Sequence, residues 1–321
     1  MRLMTEPLPG EIALAERRIR PHVLETPLIP SLALGEAVGA DVSLKCENQQ
    51  LTGSFKLRGA TNRLLTLPAD ELSRGVVAAS SGNHGIAVAQ AGSSLGIPVT
   101  VYVPEAASSA KIAAMRRRGA EVRLFGTDGL DTELEARRVA GSSYRTYISP
   151  YNDLAVVAGQ GTVAVELRRQ APEMDTVIVS VGGGGLIAGI AACLKASAPA
   201  VRVIGAVPEQ SPVMARSVQA GHVVVVPTYP TLSDGTAGGI ETDSVTFPLC
   251  RDLVDEWIEL PESEIAGAMR HCIVEEHLLV EGSAGVAVAA TWRLGAALRG
   301  RRVVVVLCGA NVSAETLNSV L

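Results

Sequence analysis

The residues with the most distinctive chemistry in this sequence are one lysine, one polar turn, one run of glycines and one cysteine. Lys56 lies in the segment SFKLRGA (54–60) at the start of a predicted helix, where an isolated lysine is usually a solvated surface charge. The segments 80–85 (SSGNHG) and 182–185 (GGGG) each join a predicted strand to a predicted helix, and Cys308 follows a predicted buried strand. Together, an amine, a polar turn, an anion-binding loop and a thiol are the groups that hold pyridoxal phosphate as a lysine imine.

The run of glycines at 182–185 is suited to binding an anion. Glycines let backbone N–H groups approach the anion closely, and the N-terminus of the following helix favours negative charge. Two other interpretations remain open. The run could be a tight turn without a ligand, or a dinucleotide site, because residues 183–188 match G-x-G-x-x-A and Glu209 follows the next strand. A single match of that kind is weak evidence, and four consecutive glycines suit a compact monophosphate at least as well.

The segment 80–85 offers hydroxyls, an amide and backbone N–H groups where a strand gives way to a helix. These groups could bind a carboxylate or a ring oxygen, or Ser81 and Asn83 could simply cap the helix. At such a place, His84 is more often a structural histidine than a general base, and a buried Cys308 is by default inert. The sequence contains neither a G-x-S-x-G motif nor a His/Cys cluster with the spacing of metal ligands.

Composition narrows the class of protein. The chain has 321 residues, of which 47% are hydrophobic, and a net charge of -5. This charge argues against a nucleic-acid partner, which would require a clustered basic surface. No stretch is long and apolar enough to span a bilayer, and the N-terminal segment lacks the pattern of a signal peptide. The five cysteines are odd in number and include no C-x-x-C pair, so we expect them to be reduced thiols. We therefore expect a cytoplasmic enzyme with a small-molecule substrate and no membrane partner.

Short β-rich segments alternate with amphipathic helices in two series. The first has strands at 76–79, 99–103, 122–125 and 144–148 and helices at 84–95, 108–118 and 129–140. The second has strands at 176–181, 201–207 and 303–307 and helices at 185–197, 263–277 and 284–298, and we assign strand 41–47 and helix 54–67 to it. Apolar strands joined by helices predict an α/β fold with two doubly wound, mainly parallel sheets. A small domain (76–150) would be inserted into a large one (1–75 and 151–321), and the long loop at 221–243 would be functional.

Nearly the whole chain resembles the serine/threonine dehydratase (ammonia-lyase) family of fold-type-II pyridoxal-phosphate enzymes, which includes serine racemases. The resemblance rests on the motifs SFKLRGA, SSGNHG and GGGG and extends from Thr26 through AGQGT (158–162) to Asn311. It implies a tryptophan synthase β-like fold, pyridoxal 5'-phosphate as cofactor and an amino acid as substrate. We also expect a homodimer, and no regulatory domain after the last strand.

The resemblance also implies a role for individual residues. Lys56 would hold the cofactor as an imine and later remove the substrate Cα proton, Phe55 would pack on the cofactor ring, and Asn83 would bond to its phenolic oxygen. Cys308 would face the pyridine nitrogen. The remaining expected contacts are Gly182, Gly183, Gly184, Gly185 and the Leu186 amide for the phosphate, and Ser80, Ser81, His84 and Tyr151 for the substrate.

Two departures from the family pattern affect the predicted reaction. Val207 stands where metal-dependent members carry an acidic ligand, so we predict no metal site. Tyr151 stands where racemases tend to carry asparagine. We therefore predict a dehydratase that eliminates water and then ammonia from a β-hydroxy amino acid of the threonine or serine type. The alternatives are a racemase, with Ser81 protonating the opposite face, and a dehydratase of a larger hydroxy amino acid, as in hydroxyectoine breakdown. A nicotinamide oxidoreductase and a non-catalytic amino-acid sensor are alternatives from other classes.

Overall fold

The larger of two sheets has six strands and is built around valine-rich segments. A computed structural model describes residues 7–321 of the chain. The order in this sheet is β1-β2-β10-β7-β8-β9, and every neighbouring pair is parallel except β1 with β2. The strands are β1 (Leu28–Pro30), β2 (Asp41–Lys45), β7 (Thr176–Ser180), β8 (Arg202–Pro208), β9 (Glu256–Leu260) and β10 (Arg302–Val306). All five residues of β7 are buried, as expected for a strand covered by helices on both faces.

The second sheet has four strands, all parallel, in the order β5-β4-β3-β6. They are β3 (Val76–Ala79), β4 (Val99–Val103), β5 (Glu121–Leu124) and β6 (Thr146–Tyr147). The two sheets confirm the predicted α/β class with mainly parallel strands. Strand 144–148 was predicted too long, because Tyr144 adopts a left-handed conformation with φ 52° and ends the preceding turn.

Helices cover both sheets. They are α1 (Leu8–Ile19), α2 (Leu32–Val38), α3 (Lys56–Leu65), α4 (Ala69–Arg74), α5 (Asn83–Leu95), α6 (Ser109–Arg116), α7 (Gly129–Ser142), α8 (Leu154–Gln170), α9 (Gly185–Ser197), α10 (Val213–Ala220), α11 (Thr246–Leu253), α12 (Glu262–Val274), α13 (Gly282–Leu294) and α14 (Ala314–Val320). Side chains fix several starts: Asp153 accepts hydrogen bonds from the first N–H groups of α8, and Asp128 does the same for α7. Within residues 7–321, none of the helices combines the length and apolar character that crossing a membrane would require.

The hydrophobic core of the four-stranded sheet includes residues from outside segment 76–150. Leu57, Ala60 and Leu64 of α3 pack there together with Val76, Val101 and other strand residues. Helix α3 therefore joins the two halves of the molecule. The division into a large domain (1–75 and 151–321) and an inserted small domain (76–150) stays a prediction.

Three of the predicted functional segments directly follow the carboxyl ends of parallel strands. Segment 80–85 follows β3, the glycine run follows β7, and Cys308 follows β10. In parallel α/β sheets, ligands bind at this edge because helix N-termini and loop N–H groups gather there. The topology therefore brings the candidate residues to one place.

Candidate active site

A cavity of about 240 Å³ lies between the carboxyl ends of the two sheets. Every residue that the sequence predicts for the site lines this cavity: Phe55, Lys56, Ser80, Ser81, Asn83, His84, Tyr151, Gly182, Gly183, Gly184, Gly185, Leu186 and Cys308. These residues come from distant parts of the chain, so their convergence is a property of the fold and not of sequence proximity.

Lys56 is the first residue of α3, and its amine lies inside the cavity. The Nζ atom donates a hydrogen bond to the carbonyl oxygen of Pro150 at 3.0 Å and lies 5.1 Å from the centroid of the Phe55 ring. Burial lowers the pKa of Lys56 to about 8, although Cys308 and Glu281 act in the opposite direction. An amine with this pKa is partly unprotonated near neutral pH and can act as a base or a nucleophile.

The glycine run forms a close-packed cradle at the start of α9. Gly184 has φ +85°, a conformation that favours glycine. A Cβ at Gly183 would lie 2.4 Å from the Tyr151 ring, and one at Gly182 would lie 2.8 Å from the Cα of Thr236. The N–H groups of the first turn of α9 have no acceptor within the helix, so they are available to an anion. Side chains at 182 or 183 would therefore close the cradle.

Segment 80–85 places several polar groups on the opposite wall. Ser80 Oγ accepts a hydrogen bond from the Gly82 N–H at 3.1 Å, and Asn83 begins α5. His84 Nε2 donates to the carbonyl oxygen of Ile148 at 2.8 Å, which places the ring proton on Nε2 because a carbonyl only accepts. Burial lowers the pKa of His84 to about 3, and the charge of Lys56 acts in the same direction. His84 is therefore neutral and holds the loop before Pro150 in place.

Cys308 and Tyr151 complete the polar wall. Cys308 Sγ accepts a hydrogen bond from Ser180 Oγ at 3.4 Å, and burial raises the pKa of the thiol well above its ordinary range. The thiol is therefore neutral. The Tyr151 hydroxyl accepts a hydrogen bond from the Glu241 N–H at 2.9 Å, which fixes the ring against Gly183.

Comparison with known proteins identifies the family. The family profile described as "Pyridoxal-phosphate dependent enzyme" matches residues 19–309. The chain belongs to this family. It is 39% identical over 312 residues to a putative threonine dehydratase of Sinorhizobium fredii, covering 96% of this chain and 94% of that protein. It is also 39% identical to an L-threonine ammonia-lyase of Geobacter sulfurreducens, over 96% of this chain and 76% of that protein.

A solved structure gives the same result. Maize serine racemase superposes with a TM-score of 0.91 at 34% identity, covering 97% of this chain and 95% of that one. The fold of this pyridoxal-phosphate-dependent enzyme is therefore fold type II, as the sequence predicts. The relatives include both dehydratases and racemases. Membership of the family therefore establishes the cofactor but does not identify the substrate or the reaction.

The residues around the cavity fit pyridoxal 5'-phosphate. The glycine cradle can take a phosphate that side chains would exclude, and the amine of Lys56 is reactive enough to bind the cofactor covalently. A neutral thiol at Cys308 is compatible with an uncharged ring nitrogen. A cofactor bound in this cavity would lie at the carboxyl ends of β7 and β10 and at the start of α3.

A buried ion cluster next to Lys56 is not apparent from the sequence. Arg58 bonds to both oxygens of Glu47 and both oxygens of Glu166, at 2.6 to 2.9 Å, and Lys45 Nζ lies 2.5 Å from Glu166. The side chains of Arg58, Glu47, Glu166 and Lys45 are fully buried. The partners are up to 121 residues apart in sequence, so no local sequence pattern predicts that they interact. Lys45 at the end of β2 (DVSLK) gives only a weak signal, because Asp41 and Ser43 of the same strand are polar as well.

A second missed residue is Glu281, whose carboxylate lines the cavity. Burial raises the pKa of Glu281 to about 7, while the hydrogen bond from Asn83 lowers it. Its position directly before α13 is one where acidic residues commonly favour the helix dipole, so its sequence context looks ordinary. Lys111 and Asp234 also line the cavity, with Lys111 Nζ 3.5 Å from Asp234 Oδ2.

Proposed function

We propose that this enzyme eliminates water and then ammonia from a β-hydroxy amino acid of the threonine or serine type and yields a 2-oxo acid. The observation that carries the proposal is the amine of Lys56, held in the cavity with a pKa of about 8 opposite a glycine cradle. The relatives named threonine dehydratase and L-threonine ammonia-lyase support the reaction class.

Lys56 is the proposed base at the substrate Cα. Bound pyridoxal phosphate supplies an electron-withdrawing ring that acidifies the Cα–H bond. The Pro150 carbonyl accepts a hydrogen bond from Nζ and so directs the amine, and burial keeps part of the amine unprotonated near neutral pH. Nζ can then take the Cα proton and hold it while the β-hydroxyl leaves.

The other residues would bind and orient. The glycines 182–185 and the Leu186 N–H would bind the phosphate, and the Tyr151 ring lies close against Gly183. Ser80 and Ser81 offer hydroxyls to the substrate carboxylate at the start of α5, with His84 holding that wall. Phe55 would pack on the cofactor ring beside Lys56, and Asn83 would donate to its phenolic oxygen. The neutral Cys308 thiol would leave the ring nitrogen uncharged, and the weaker electron sink favours prompt elimination.

A racemase is the second candidate. Ser81 brings a hydroxyl to the same cavity, where it could protonate Cα from the face opposite Lys56, and one close structural relative is a serine racemase. Tyr151, where racemases tend to carry asparagine, favours the dehydratase.

Products formed from serine and threonine test the proposal. Holoenzyme is incubated with L-serine or L-threonine, and 2-oxo acid and D-amino acid are followed together by chiral chromatography. We expect the 2-oxo acid to form at least about tenfold faster, a difference of about 1.4 kcal/mol in barrier. Faster formation of D-serine would overturn the proposal in favour of the racemase. Formation of neither product would overturn the assignment to serine and threonine, and larger hydroxy amino acids would then be screened.

A variant of Lys56 and a matched control variant test the role of this lysine in the same assay. Lys56→Ala should abolish turnover and the borohydride-trappable link to the cofactor. Lys195→Ala, which removes a surface lysine paired with Asp255, is the matched control and should keep both.

We further propose that the protein is a cytoplasmic homodimer acting on a free amino acid. The absence of any disulfide among the cysteines at 46, 193, 250, 272 and 308 supports a reducing compartment. Light scattering after size-exclusion chromatography tests the dimer, and a monomer mass would contradict it.

A further inference from the structure

Glu281 holds a central place in a hydrogen-bonded group at the cavity wall. Its side chain is buried, and its two oxygens accept hydrogen bonds from Asn83 Nδ2 at 2.8 and 3.0 Å. Glu281 Oε2 also accepts from the Asn311 N–H at 3.0 Å. A carboxylate that only accepts therefore faces the donor end of the Asn83 amide.

The other end of the Asn83 amide is fixed as well. Asn311 Nδ2 donates to Asn83 Oδ1 at 2.6 Å and to the carbonyl oxygen of Thr52 at 2.8 Å. Asn83 follows a strand of the four-stranded sheet, whereas Glu281 and Asn311 belong to the six-stranded half. The group thus joins the two halves across the cavity and allows only one orientation of the Asn83 amide.

We propose that Glu281 is a positioning residue that keeps the N–H donors of Asn83 turned towards the cavity wall where the cofactor ring binds. The proposal rests on the proposed function in one respect, the role of Asn83 at the ring oxygen. Nδ2 carries two hydrogens, so one can bond to Glu281 while the other remains for the ring. Without the carboxylate, rotation of the amide by 180° would present an acceptor to an electron-rich oxygen.

The charge of Glu281 makes this arrangement dependent on pH. The carboxyl has a pKa of about 7, and the charged groups that act on it are Asp234, which raises the pKa, and Lys111, which lowers it. The negative charge of Glu281 in turn acts to raise the pKa of Lys56 and the pKa of Cys308. Once protonated, Glu281 keeps only one fully accepting oxygen for the Asn83 amide and the Asn311 N–H, so its hold on the amide weakens.

A double-mutant cycle tests the proposal on apo protein. The dissociation constant of pyridoxal phosphate and the visible absorbance maximum are measured for wild type, Glu281→Gln, Asn83→Ala and the double variant. We expect Glu281→Gln to weaken binding about tenfold or more, as for the loss of one hydrogen bond to a charged group. In the Asn83→Ala background, the same change should weaken it less than about twofold. Wild-type affinity should rise more steeply between pH 6 and 8 than the affinity of Glu281→Gln, which keeps only the contribution of Lys56.

Several outcomes would overturn the proposal. Equal weakening by Glu281→Gln in both backgrounds would show that Glu281 acts independently of Asn83. Glu281→Asp keeps the charge on a shorter side chain and should bind the cofactor more tightly than Glu281→Gln. If it does not, and circular dichroism shows that the variant is folded, the proposal is contradicted as well. Glu276→Gln is the matched control, since that shielded carboxylate accepts from Ser31 and His271 outside the cavity and should leave the dissociation constant unchanged. These binding measurements stand even if no hydroxy amino acid is dehydrated.

Discussion

At the scale of single residues, the reactivity of the site depends on solvation more than on charge pairing. The described structure gives Lys56 Nζ a carbonyl partner, Pro150, and places it beside a neutral thiol and an aromatic ring. A carboxylate bonded to the amine would have raised its pKa, whereas desolvation lowers it. The surroundings thus prepare the amine to lose its proton, as covalent binding of an aldehyde requires.

The rate of cofactor loading should report the pKa of Lys56. Below pH 8 the amine is mainly protonated, so we expect the rate at which apo protein forms the covalent link to rise about tenfold per pH unit and to level off above pH 8. Stopped-flow absorbance from pH 6 to 10 measures this. Cys308→Ser should not raise the midpoint, because Cys308 is one of the groups that raise the pKa of Lys56. A midpoint near 10.5, the ordinary value for lysine, would contradict the prediction.

At the scale of elements, the position of α3 is set by charges buried behind it. Arg58 lies two residues after Lys56 and pairs with Glu166 of α8 and with Glu47, next to β2. Burying ions is costly, but once they are buried the removal of one partner leaves the others uncompensated. The cluster therefore fixes the first turn of α3 and, with it, the direction of Lys56.

Removing one carboxylate from this cluster should be strongly destabilising. Glu166→Gln leaves Arg58 and Lys45 short of a counter-charge, so we expect a loss of about 3–5 kcal/mol at pH 7, seen as a melting temperature lower by several degrees. Burial alone would raise the pKa of Glu166, but Arg58 and Lys45 outweigh it and hold the value at about 2.

The effect of Glu166→Gln should also depend on pH in a defined direction. Because the folded-state pKa lies below the ordinary value of 4.5, the stabilisation is complete above pH 4.5 and disappears as pH falls through about 2. The difference from wild type should therefore shrink in acid. Glu173→Gln, which breaks an exposed pair with Arg302, is the control and should cost less than about 1 kcal/mol. Equal losses from both variants would contradict the role given to the cluster.

Elements with a strong local pattern could be predicted from the sequence, and those fixed by distant partners could not. Strand β10 (RVVVV) and the helix after the glycine run are apparent from apolar runs and turn residues. Strand β9 (EWIEL) lies at a sheet edge and contains two glutamates, and the three-residue β1 ends in proline, so neither has the continuous apolar pattern. Glu281 and Glu166 acquire their properties only from residues far away in sequence. The motif residues at 80–85, 182–185 and 308 could be placed in one cavity because each of these segments follows a parallel strand.

At the scale of the whole molecule, the carboxyl ends of the two sheets meet at one cavity. Whether the enzyme needs a divalent cation depends on the metal ligands that the chain offers. Val207, at the position where the resemblance described above implies an acidic ligand in metal-dependent members, is buried within β8. Across residues 7–321, no group of three or more His, Cys, Asp or Glu side chains is arranged to hold a metal. In the proposed binding mode, the glycine cradle and the N-terminus of α9 would be the partners of the cofactor phosphate, so a divalent cation would not be needed for charge balance there.

Chelation should therefore leave most of the activity intact. Holoenzyme is treated with EDTA, dialysed with pyridoxal phosphate present so that cofactor loss is excluded, and assayed for 2-oxo acid release. We expect at least about half of the untreated rate, with an unchanged melting temperature, since the aliphatic Val207 offers no metal ligand. Magnesium added back serves as the control and should have little effect. Complete loss of activity that magnesium restores would contradict the prediction, because it would place a divalent site on ligands other than a side chain at position 207.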